Sequence, residues 1–136
     1  MPELVLTNAE IERIAIEYVM DLERDAGREP QDVHLGGVPY DVLSPPRKIE
    51  VKAFGKSARG AQLPLEDSQV QAAKADPKDF YVYVVDNVMA EAPAKIAVRV
   101  LHGATLMRMI DRTAPHITYW PTLRTAEYDQ ISEGIE

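Results

Sequence analysis

The stretch Tyr40–Lys52, YDVLSPPRKIEVK, sets Asp41, Glu50 and Lys52 into the otherwise apolar segments Val38–Leu43 and Ile49–Phe54. Val38–Leu43 and Arg47–Phe54 each read as a strand, and Ser44-Pro45-Pro46 reads as the turn between them, because proline cannot donate to a strand ladder. Side chains alternate faces along a strand, so Glu50 and Lys52 point one way while Ile49, Val51 and Ala53 point the other. Asp41 stands on the facing strand, where its carboxylate can meet that of Glu50. Strands this apolar belong inside a sheet covered on both sides, where an unpaired charge is expensive. The chain must therefore pair these groups as a salt bridge or hold a cation among them.

The remaining segments supply what such a sheet needs. Thr7-Asn8-Ala9-Glu10 is a capping-box sequence. Ile11, Ile14, Ala15, Tyr18, Leu22 and Ala26 then recur at helical spacing up to Gly27, a C-terminal stop. Glu17 flanks that stripe and is a candidate supplementary carboxylate. Residues 28–37 are turn-like, with a short strand around Val33, and residues 55–64 form a loop exposing Lys56 and Arg59. A second helix is expected over Leu65–Ala75, starting near Asp67 or Ser68, with Gln69, Ala72, Ala73 and Asp76 on one side. Phe80–Val85 is apolar on both faces and reads as a central strand. Asp86–Ala94 follows as a loop, Lys95–Leu101 as a strand nearer an edge, and Thr105–Asp111 as a short helix. This order predicts an α+β fold, a mixed β-sheet flanked by helices. The expected organisation is one domain over residues 1–136, with a core over about 8–101 and a C-terminal extension over 102–136.

Charge distribution bears on partners. The chain carries a formal −7, which argues against coating nucleic acid by bulk attraction. Residues 47–59, however, hold five basic side chains against one acid. A basic patch on an acidic body suits contact with a polyanion at one place. The alternative is a solvated surface loop. Cysteine is absent, so no disulfide or thiolate site is available. No apolar run approaches the ~18 residues of a membrane span. A cytoplasmic protein with no membrane partner is expected.

Together these features resemble the PD-(D/E)XK nuclease superfamily, the restriction-endonuclease-like fold. They comprise a first helix carrying a glutamate, Asp41 and Glu50-Val51-Lys52 on a hairpin, a helix with Gln69 and Ala73 (QVQAA), and a buried strand. More narrowly, the run from Gly36 through Val88 resembles the NO VEIN C-terminal domain family, over residues 10 to about 101. Tyr40 stands where the superfamily name has proline. The resemblance implies a metal-dependent phosphodiester hydrolase acting on DNA or RNA. Asp41, Glu50 and the Val51 carbonyl would hold Mg2+ (or Mn2+), with Lys52 and Gln69 completing the catalytic set. Glu17 would add a further carboxylate, and Lys48, Lys56 and Arg59 would contact the nucleic-acid backbone.

Other readings stay open at this level. Asp41, Glu50 and Lys52 alone fit a structural salt bridge, and the fold also suits a catalytically silent module that binds nucleic acid or a partner protein. In that case the acidic tail Glu127–Glu136 could mask the Lys56–Arg59 loop. A homodimer through outward-facing Tyr81, Tyr83 and Trp120 is a third reading. His34, His102 and His116 lack ligand-like spacing and are assigned no role. Trp120 with Tyr119 is expected to pack the last segment onto the core rather than stack a base.

Overall fold

The computed structural model describes residues 6–89 and 95–134. Helix α1 (Asn8–Asp25) opens with the expected capping box: the Thr7 hydroxyl accepts from the Glu10 N–H, and the Glu10 carboxylate accepts from the Thr7 N–H. It ends as the glycine predicts. Gly27, at φ +84°, donates to the Arg24 carbonyl and Arg28 to the Glu23 carbonyl, the left-handed closure that glycine adopts without a Cβ penalty.

Five strands follow, β1 (Gln31–Asp32), β2 (Val42–Ser44), β3 (Arg47–Ala53), β4 (Phe80–Asp86) and β5 (Ala97–His102). They form one mixed sheet in the order β1-β2-β3-β4-β5. Only β3 and β4 are parallel, and the crossover joining them carries α2 (Asp67–Ala75). Helix α3 (Gly103–Asp111) follows β5 directly, and α4 (Thr125–Gln130) lies in the C-terminal segment.

Alternation along the strands sorts the two faces. Ile49, Val51, Tyr83 and Val85 pack with Val42 against Ala15, Ile16 and Val19 of α1. On the opposite face Phe80 and Val82 pack with Ala73 of α2 and Leu106 of α3. The helices thus cover both faces of the sheet, the α+β arrangement expected.

Several local expectations are corrected. The first hairpin strand is three residues long rather than Val38–Leu43, because residues 34–41 turn through Gly36 and Gly37, the latter at φ +75°. The buried stripe of α1 is Ala15, Ile16, Val19 and Glu23, with Leu22 at the margin. Helix α2 starts at Asp67, as expected of its first turn, but Leu65 and Glu66 of the expected span lie outside it, Glu66 being its cap. Strand β4 runs on to Asp86, whose carboxylate accepts the Ala58 N–H at 2.8 Å and so holds the 55–61 loop. Tyr83 is buried rather than outward-facing, and Trp120 is 88% exposed rather than packed on the core. Of the Asp86–Ala94 loop, residues 90–94 lie outside the described residues, as do 135–136 of the acidic tail.

Candidate metal centre

The site lies where β2 stops short. Val42 pairs with Ile49, so the next position along, Asp41, faces Glu50 just beyond the end of the ladder. The Asp41 N–H still donates to the Ile49 carbonyl at 2.9 Å. Its carboxylate then takes the place of the missing strand: Oδ2 accepts the Val51 N–H at 3.0 Å. The N–H and C=O of one strand residue point to the same edge, so the Val51 carbonyl is directed to this vacated edge beside Asp41.

Glu50 stands on the α2 face of β3 and is almost completely buried. Gln69, in the first turn of α2, fixes it. The Gln69 Nε2 donates to Glu50 Oε2 at 2.7 Å, while its Oε1 accepts from Lys52 Nζ at 3.2 Å and from the Glu66 N–H at 2.9 Å. One amide thereby caps the helix and orients both charged side chains of the Glu-x-Lys pair. Lys52 Nζ lies 3.1 Å from Glu50 Oε2, closing the triangle.

The electrostatics are unbalanced. Burial and the neighbouring Asp41 carboxylate push the Glu50 carboxyl up to about 8, and the Lys52 ammonium offsets this only in part. The lysine alone therefore does not neutralise the pair, and the cleft favours further positive charge, a proton or a cation. Among the described residues no group of three or more His, Asp or Glu side chains could hold a metal. The donors here are two carboxylates and a backbone carbonyl. This all-oxygen set fits Mg2+ or Mn2+, since Mg2+ keeps several waters and takes few protein carboxylates.

These groups border a cavity of about 630 Å³ that also reaches Asn8, Ile11 and Glu12 at the start of α1 and Glu66 and Ser68 at the start of α2. Both helices present their N-terminal, partially positive ends to it. His34 lines it as well, hydrogen-bonded through Nδ1 to Asp32, which holds the imidazole above its ordinary range.

Five of the expected site residues meet here: Asp41, Glu50, Val51, Lys52 and Gln69. Glu17 does not. It is largely exposed and lies 3.6 Å from Arg13, a turn beyond the part of α1 that borders the cavity, where Glu12 is the acid present. Lys48 pairs with Asp76 at 3.1 Å, beyond the opposite end of α2. Lys56 is exposed in the 55–61 loop, and Arg59 borders a second cavity rather than the first. His34 and Glu12 were missed by sequence reasoning. His34 sits among turns that have no period to place it, and Glu12 is one of several polar residues on the outer side of a helix.

The sequence model of the family described as Protein NO VEIN, C-terminal, matches residues 11–99, more than half of the chain, and so includes Asp41, Glu50, Val51, Lys52 and Gln69. No curated protein and no solved structure matches the chain.

Proposed function

The chain belongs to the NO VEIN C-terminal family, and from that premise we propose that it is a metal-dependent phosphodiester hydrolase of the PD-(D/E)XK nuclease superfamily, cutting DNA or RNA. The observation that carries this reading is the buried Glu50 facing Asp41 at an open sheet edge, with Lys52 one strand position on and Gln69 bonded to both members of the Glu-x-Lys pair. A purely structural salt bridge would match one acid with one base. Here two acids face each other and the one lysine among them is bonded to Glu50, beside a cavity of about 630 Å³. The order helix, antiparallel hairpin, crossover helix, parallel strand also fits that superfamily.

Mg2+ or Mn2+ held by Asp41, Glu50 and the Val51 carbonyl would supply Lewis-acid polarisation of the phosphate and a water of lowered pKa. The chain's own groups do the rest. Lys52, held at the Glu50 side by Gln69, orients the attacking water and stabilises charge developing on the phosphoryl oxygens. Gln69 keeps Lys52 and Glu50 in register through its two bonds, so that neither reorients when substrate enters. The N-terminal turns of α1 and α2 favour the anionic backbone at the cleft, and Lys56 contacts flanking phosphates.

The test is cleavage of single- and double-stranded DNA and RNA by the full chain with Mg2+ or Mn2+. Glu50→Ala and Lys52→Ala are each expected to lower the rate at least ~100-fold, the scale on which losing an electrostatic stabiliser acts. Calorimetry with Mn2+ gives an independent readout: uptake by the parent chain and none by Asp41→Asn. Cleavage at the parent rate by Lys52→Ala would overturn the mechanism.

A further inference from the structure

The sheet has one long open edge. Strand β5 pairs with β4 on one side only, and no backbone group of Ala97–His102 bonds to a partner on its other side among the described residues. The opposite edge, β1, is two residues long and too short to template much. Beside the β5 edge Val100 is exposed, and a cavity of about 520 Å³ is lined by Leu63, Leu101, Met109, Arg59 and Arg99.

The same molecule carries an unused strand. Every residue from Asp111 to Gly134 is exposed, including Ile117, Tyr119, Trp120 and Leu123. That is a run of large apolar side chains of the kind soluble proteins cover with a partner. His116-Ile117-Thr118-Tyr119-Trp120 is built almost wholly of β-branched and aromatic residues and lies between Pro115 and Pro121. Prolines at both ends confine ladder pairing to the residues between them. At about 3.3 Å per residue this segment matches the length of β5 closely.

We propose that two copies of this chain associate by exchanging C-terminal arms, residues 116–120 of each adding as a sixth strand to the β5 edge of the other. Charge agrees with this docking. The described arm beyond residue 120 carries Glu127, Asp129 and Glu133 against Arg124, whereas the receiving surface presents Arg59 and Arg99. The occupant is a second copy because in the structure the arm leaves its own sheet edge uncovered. A twofold exchange also pairs both open edges at once and closes the assembly, so association stops at the dimer. Side chains of the arm then alternate over the two faces of the extended sheet, one set against Leu101 and Met109 and the other beside Val100. This inference stands on the β5 edge and the arm alone and does not depend on the cleft being catalytic.

The experiment is sedimentation of the full chain over a concentration series, with two kinds of variant. A dimer is expected. Thr118→Pro, which removes a ladder N–H from an exposed position, is expected to weaken it at least tenfold while circular dichroism stays unchanged. Because the chain has no cysteine, Val100→Cys and Thr118→Cys can be mixed and oxidised, and a covalent heterodimer is expected. A monomer at every concentration would overturn the proposal. So would a Thr118→Pro dimer of parental affinity, or a disulfide that forms only within one chain when both cysteines are placed in it.

Discussion

Glu50 is where the site declares itself electrically. Its carboxyl is held at about 8 by burial and by Asp41, so between ~4.5 and ~8 the folded protein keeps a proton that the unfolded chain has released. Without divalent metal, this group therefore makes stability fall as pH rises through that window and level off above it. Thermal unfolding with chelator should show the decline, and Glu50→Gln should flatten it. The same proton competes with a metal, so Mn2+ affinity measured by calorimetry should rise with pH toward 8, by up to about tenfold per unit. His34 offers a second titration in the cleft. Its hydrogen bond to Asp32 raises it, so its positive charge persists to higher pH than that of a free imidazole and is lost as pH rises further. His34→Gln is expected to weaken nucleic-acid binding at acidic pH and progressively less as pH rises and the imidazole loses its proton, as a binding series over pH would show. Asp41, Glu50 and Lys52 were legible in the sequence because a strand period of two and a short turn fix which side chains meet, whereas Gln69, on a helix, was placed with them only by the family resemblance of QVQAA. Glu12 rather than Glu17 was not, since a helical stripe says which face is buried but not which end of the helix reaches the sheet's open edge.

Away from the cleft, the elements are locked by a polar chain that the α1 stripe alone did not reveal. The closure at Gly27 swings Arg28 back onto Glu23, whose two oxygens accept from its guanidinium at 2.6 and 2.8 Å. Tyr83 of β4 donates its hydroxyl to Glu23 at 3.0 Å and accepts from Arg47 of β3 at 2.7 Å. A helix, its C-terminal turn and two strands are thus joined through one buried carboxylate. Burial pushes the Glu23 carboxyl up, but the bonds from Arg28 and Tyr83 outweigh it and the net direction is down. Its contribution is therefore complete above ~4.5 and lost as pH falls below that. Tyr83→Phe keeps the ring but leaves Glu23 short of one donor and Arg47 short of an acceptor. Urea unfolding should register a loss of about 1–3 kcal/mol. Sequence reading placed Leu22 rather than Glu23 on the inner face because hydrophobic periodicity gives no credit to an acid whose partners lie on other elements. The central apolar strands and α2 needed no such partner information, and their places were legible from period and caps.

At the scale of the molecule, the five basic residues of segment 47–59 looked like one patch, and the fold disperses them. Arg47 turns inward, its guanidinium carbon 4.3 Å from the Tyr81 ring centroid and one nitrogen bonded to Tyr83. Lys48 is matched by Asp76 and Lys52 by Glu50. Lys56 and Arg59 remain exposed. Linear charge density could not foresee this, because alternation along β3 sends Arg47 to the α1 face and Lys48 and Lys52 to the α2 face, where acids from other elements meet them. A consequence can be measured. Each phosphate neutralised contributes about −0.9 to the slope of log affinity against log salt on duplex DNA. With two exposed cations left in segment 47–59, the slope from this loop should be about −2, and Lys56→Ala should make it shallower by about one. A slope steeper than about −5 on a monomeric variant would mean that the acidic body carries a basic surface other than this loop. A slope near −2 would instead limit the phosphate contacts to about two, those of this loop, because every further cation that met the backbone would steepen it.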